Sequence, residues 1–279
     1  MKNYYGLVAS MPDVSPDDAK LNFTVADFKE DYWPQLSETD KKLVALFFLR
    51  YDHRNLLAWL AEGDGAAFDE RAMFPREAWP EAMEKVKTGD EQGRVLPAYF
   101  YEFMAEYASL KEVQERLPED VLLAAYYRYA GTFKNRFTAD WFAFNRNVNN
   151  ILIALTARKY GFNPAFYLVG DVVTKALAVS GARDFGLGTE LDYMDDVIRI
   201  HEMSDPVEKE RKLDLLKWEW LEDRTFFCYF SVERLFAFLI KLDIIERWTH
   251  IDKERGGKVF RSLVEQLKNE VEIPQEFKK

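Results

Sequence analysis

Residues 37–65, "SETDKKLVALFFLRYDHRNLLAWLAEGDG", constrain the fold more than any other stretch. Ser37 with Asp40 makes a capping-box pattern, and Gly63 and Gly65 supply a stop. Between them apolar residues fall on nearly every face of a helix. Such a helix must be enclosed by neighbours. The rest of the chain offers helices to enclose it. Thr24 with Asp27 starts a shorter one through Trp33, closed by Pro34. Others are predicted over Pro97–Ser109, Pro118–Phe133, Thr138–Tyr160, Pro164–Val179 and Leu191–Met203. The segment "SDPVEKERKLDLLKWEWLEDRTF" reads as a helix with a charged outer face. A last one runs from Ser231 to Trp248, breaks at Gly256 and Gly257, and resumes to about Val271. Strand signals are nearly absent, so the expected fold class is all-α.

No composition shift divides the 279 residues, and a single helical body is expected. Only residues 62–96, with four glycines and two prolines among many charges, read as a polar surface excursion holding a short helix near Glu77–Lys87. Apolar residues at 48% suffice for a large core. The formal charge of −10 repels a nucleic-acid backbone. No apolar run approaches the roughly 20 residues of a membrane span, and the opening is too short for a signal peptide. One cysteine, Cys228 in "FFCYF", excludes an internal disulfide framework and reads as a small buried side chain. A reducing cytoplasm fits best.

The helix beginning "FNRNVNNILIALTARKYG" carries Asn145, Asn147, Asn149 and Asn150 on an otherwise apolar pattern. Trp141, Phe144, Val148, Ile151 and Leu155 form one apolar stripe. Ala143, Asn147, Asn150, Ala154 and Arg158 form a second of small or amide-bearing residues ending in a base. A buried amide left unpaired costs about 1–3 kcal/mol, so such residues must bind backbone or a neighbouring helix. The arrangement echoes "RYDHRNLLAWL", where Asp52 and Asn55 also stand three apart before Leu56, Leu57 and Leu60. "FSVERLFAFLIKLDIIERW" is a looser copy with Glu233 at the polar position. Repeat units are thus suggested near 37–62, 138–161 and 231–250. Helical proteins produce such echoes by chance too, and both readings stand on pattern alone.

These three segments resemble the repeated helical units of the central-stalk C-type subunit of V/A-type ATPases, whose eukaryotic form carries the letter d. The opening, "YYGLVASMPDVSPDD", resembles more closely a bacterial family of uncharacterised proteins encoded among V/A-type ATPase subunit genes. The resemblance implies an all-helical funnel of two or three similar units, with no catalysis and no cofactor. It implies a cytoplasmic part, peripheral to the inner membrane, that carries torque between the membrane rotor ring and the central shaft. Its partners would be the shaft and ring subunits. By position, Asp52 and Asn55 match the first unit, Asn147, Asn150 and Arg158 the second, and Glu233 the third. Asn147 departs from the family's acidic residue, and the chain is shorter than a typical C-type subunit.

Reaction chemistry is thinly signalled. His53, His201 and His250 are too scattered for a metal or catalytic cluster, and His53 reads as a surface or capping residue. His201-Glu202 lacks the second His of a zinc helix. Cys228 lacks a base that would activate it. "SGARDFGLGTE" and "RGGKVF" fail the phosphate-loop patterns, and the former reads as a flexible connection. The acidic groups Asp192, Asp195 and Asp196, and Glu219, Glu222 and Asp223, read as solvated helix faces. The aromatic cluster Trp218, Trp220, Phe226, Phe227, Tyr229 and Phe230 reads as core. The rival readings are a helical enzyme using carboxylates such as Asp192, Asp195 and Asp196, and a helical adaptor with other partners.

Overall fold

The computed structural model describes residues 3–113, 117–170 and 172–270, and gives only the chain path for 111–113 and 252–270. The fold is all-α. Among the described residues there are eleven α-helices and no strand. The first is short, α1 (Tyr5–Ser10). Next, α2 (Val25–Asp27) runs into a π turn (Phe28–Tyr32) and a 3-10 turn (Trp33–Gln35). The Thr24/Asp27 capping box forms as read, but the helix it opens changes winding where Pro34 approaches. Then come α3 (Glu38–Glu62), α4 (Ala78–Thr88), α5 (Ala98–Val113), α6 (Pro118–Ala130) and α7 (Arg136–Tyr160). They are followed by α8 (Val172–Val179), α9 (Met194–Glu202), α10 (Pro206–Thr225) and α11 (Val232–Glu270).

Helix packing closes on itself. Helix α3 packs on α6, α6 on α7, α7 on α9, α9 on α10, α10 on α11, and α11 back on α3. Helices α4 and α5 lie outside this circuit, α5 against α6 and α4 against α5. One continuous apolar core runs through it, with Leu46, Phe48, Ile151, Phe236 and Leu239 fully enclosed. The enclosure expected of α3 is met: Leu43, Val44, Leu46, Phe47, Phe48, Leu49 and Tyr51 are all buried.

The cap of α3 is more elaborate than its pattern. Ser37 Oγ accepts the Asp40 N–H, but the Asp40 carboxylate does not return to the Ser37 N–H. The Tyr4 hydroxyl stands between them, accepting from Ser37 N at 3.1 Å and donating to Asp40 Oδ2. Two other boundaries differ from expectation. Residues 164–179 are not one helix: a 3-10 turn at Pro164–Phe166 is separated from α8 by Gly170. Gly170 has φ 113°, and a Cβ there would lie 3.2 Å from the Arg146 guanidinium. Helix α11 passes through Gly256 and Gly257 without a break. Two glycines cost a helix about 1 kcal/mol each, which the good helix formers around them offset.

Candidate functional site

Asn55, in the middle of α3, donates from Nδ2 to the Asp69 carbonyl at 3.0 Å and accepts the Asp69 N–H on Oδ1 at 2.8 Å. Asn150, in the middle of α7, does the same to Val169, at 2.7 and 3.0 Å. Each amide acts as a substitute peptide group, satisfying both polar atoms of one residue in the segment that follows its helix. Asn150 is 1% exposed, so these partners replace its water completely.

The segment held by Asn55 has further anchors. Asp52, one turn earlier on α3, accepts the Met73 N–H on both oxygens at 3.1 and 3.0 Å, and the Phe74 N–H at 3.0 Å. Lys29 Nζ donates to the carbonyls of Glu70, Arg71 and Ala72. Arg71 grips Asp69, lies 4.3 Å from the centre of the Tyr51 ring, and reaches Glu246 of α11 at 3.1 Å. Asp52 is fully buried, and desolvation pushes its carboxyl up to about 7 despite the backbone N–H groups and nearby Lys29. Beside it, His53 is not a surface group. Its Nε2 lies 2.8 Å from the Tyr99 hydroxyl, its ring packs edge-on against Tyr99, Phe100 and Tyr126, and burial pushes it down to about 3.

The second unit is anchored at its far end by Arg158. Its guanidinium donates to the carbonyls of Ser180, Ala182 and Arg183 and stacks 4.0 Å from the Phe185 ring centre. Phe185 and Leu187 are buried, so "SGARDFGLGTE" is a pinned connection rather than a flexible one. Asn147 and Glu233 belong to no such clamp. Asn147 Nδ2 reaches the Tyr193 hydroxyl at 3.3 Å, and Glu233 Oε1 accepts from Asn135 Nδ2 at 2.7 Å. Thus Asp52 and Asn55 share one segment, while Asn150 and Arg158 hold two successive stretches after α7. Of the remaining amides, Asn145 bonds back to the Trp141 carbonyl and Asn149 to the Tyr127 hydroxyl.

The residue that reaches a distant segment from α11 is Glu246, whose Oε1 accepts the Val25 N–H at 2.5 Å. Sequence pattern pointed instead to Glu233. Yet a signal for Glu246 exists: Asp243 and Glu246 stand three apart in an apolar helix, the spacing of Asp52 and Asn55 and of Asn147 and Asn150. Asp243 itself takes the Tyr51 hydroxyl at 3.0 Å and pairs with Arg50, so this polar pair joins α11 to α3.

Two apolar surfaces lie open at opposite ends of α7. Near its start, the α10–α11 connection carries Phe226, Phe227, Tyr229 and Phe230 into solvent, Phe227 with 80% exposure. Phe227, Tyr229 and Phe230 border a hollow of about 730 Å³ also lined by Phe137 and Trp220. The aromatic run read as core is therefore largely outside it, with only Trp218 fully packed, and Cys228 is half-buried among them. Near the end of α7, Leu152, Ile153, Phe162 and Tyr167 line a smaller hollow of about 350 Å³. Tyr160, Phe166, Val172 and Val179 are exposed in the same part of the chain. At 1.5 Å per residue the α7 residues lining the two hollows are roughly 20–30 Å apart along the helix.

Asp192 and Asp195 are exposed, and Asp196 pairs with Arg199. Among the described residues no group of three His, Cys, Asp or Glu could hold a metal ion. No described helix is long and apolar enough to cross a membrane. The chain belongs to the family described as Protein of unknown function (DUF2764), whose model matches residues 1–271. No curated protein and no solved structure matches it.

Proposed function

We propose that this chain is a non-catalytic central-stalk subunit of a bacterial V/A-type ATPase, linking the membrane rotor ring to the central shaft during ATP-driven ion transport. The observation that carries the reading is the repeated clamp. The resemblance to the C-type stalk subunit rests on a polar pair recurring in apolar helices. In two of those helices the second member, Asn55 or Asn150, holds a following segment through the same pair of bonds.

The physical demands of such a part support the reading. Torque passes only through a stiff body, and close-packed interiors are stiff. Here the helices form a closed circuit around an aromatic core, and the connections between them are tied down by polar side chains. A coupling piece also needs two separate contact surfaces, and the chain carries an open apolar surface toward each end of α7. Its place would be cytoplasmic, held at the inner membrane by the ring. These surfaces alone would equally suit an adaptor with other partners. The clamp repeat, together with the opening segment, favours the stalk.

Affinity purification of the intact ATPase from the native host tests the proposal. The chain is expected to copurify in fixed ratio to the shaft. Its absence from an active, ion-pumping complex would overturn it.

A further inference from the structure

We infer that the hollow between the start of α7 and the α10–α11 connection is the docking site of an acidic amphipathic helix from a partner protein. The stalk reading enters only in naming that partner, not in its chemistry. The floor and walls are aromatic: Phe137, Trp220, Phe227 and Phe230, with Phe137 lying 5.8 Å from Trp220 and 6.2 Å from Phe236 of the core. The Tyr5 ring of α1 lies tilted against Phe230, 4.1 Å between centres, and extends the wall. Several large rings left side by side in water are unusual for a chain whose surface has no partner. Aromatic side chains are also the commonest anchors of protein interfaces.

Charge narrows the occupant. The chain as a whole carries −10, yet the rim of this hollow bears Lys134, Arg136 and Arg224. Arg224 lies over the Trp220 ring, and neither it nor Lys134 has a carboxylate in ion-pair range among the described residues. Arg136 faces Asp140 only at 3.8 Å, between exposed groups. The other acid, Glu233, is buried, with Oε1 taking Asn135 Nδ2 and Oε2 without a hydrogen-bond partner, so it presents little charge at the rim. A local basic rim on an acidic molecule calls for an anionic partner. The concave shape favours a helix, whose apolar side chains at i, i+3, i+4 and i+7 enter a groove while its acids meet the rim. A flat lipid surface would leave the hollow unfilled. A second copy related by a two-fold axis would set one basic rim against another.

The test places a photo-crosslinking amino acid at Phe227 in the full chain, expressed in its host, and sequences the attached segment. Phe227 is exposed, so the label leaves the core intact. The expected adduct is a segment rich in Asp and Glu with apolar residues at helical spacing. The triple variant Lys134→Glu, Arg136→Glu, Arg224→Glu is expected to lower its yield at least roughly fivefold, since rim charges set association. Lys175→Glu, on α8 toward the other end of α7, is expected to leave it unchanged. An adduct with phospholipid, with a basic segment, with a second copy, or no adduct at all would overturn the inference. An acidic helix from a protein outside the ATPase would uphold the inference while removing the stalk reading. A basic segment of an ATPase subunit would do the reverse.

Discussion

Asn149 and Asn150 are neighbours in sequence with opposite circumstances. Asn150 is enclosed and supplies both bonds of Val169, whereas Asn149 faces solvent and hydrogen-bonds the Tyr127 hydroxyl. Asn150→Leu leaves the N–H and C=O of half-buried Val169 without these partners and is expected to cost roughly 1–3 kcal/mol, against under about 1 kcal/mol for Asn149→Leu. Urea denaturation of the two variants checks this, and equal losses would contradict the clamp. Asp52 makes a second residue-scale prediction. Its folded carboxyl is raised to about 7, while in the unfolded chain it titrates near 4. Below about pH 4 both states hold the proton. Between there and about 7 only the folded state does, so stability falls as pH rises through that window and levels off above it. Relative to Asp52→Asn, the parent is expected to lose roughly 2–3 kcal/mol between about pH 5 and pH 8. Parallel stability curves for the two would show that burial does not hold the proton on Asp52.

At the scale of elements, each long helix fixes a segment remote from its own turns, and the fixings are separable. In Asn55→Ala, the Asp69 amide loses its acceptor while Met73 and Phe74 remain on Asp52. Hydrogen exchange is therefore expected to speed up at Asp69 and not at Met73 or Phe74; loss of protection across all three would mean that the segment is held as one unit. Much of this level was legible in the sequence. A cap and glycine stop marked α3 because orphan N–H and C=O groups at helix ends demand particular residues, whereas the Asn135 cap that starts α7 at Arg136 was not read. Asn55 and Asn150 stood out because an amide on an apolar stripe has to find partners. What escaped notice has physical reasons as well. Gly170 interrupts residues 164–179 with a backbone conformation packed closely against Arg146, a contact made across 24 residues of chain. Glu246 was hidden because a carboxylate in an acidic chain reads as solvated until its distant partner, the Val25 N–H, is known. The run "FFCYF" reads as core because an aromatic segment left at the surface has the same composition as one packed in the interior.

For the molecule as a whole, the closed circuit of helices and the two open apolar surfaces are what the proposed connector would require. Stiffness is the property at stake, since a connector that yields stores the motion it should transmit. As proposed, the chain couples ATP hydrolysis to ion movement without performing either. The most direct measurement compares membrane vesicles from the host with vesicles from a strain lacking this chain, following ATP hydrolysis and ATP-driven ion uptake together. Hydrolysis is expected to persist while uptake is lost, and uptake is expected to return when the chain is restored. Full ion uptake by vesicles that never contained it would contradict a coupling role.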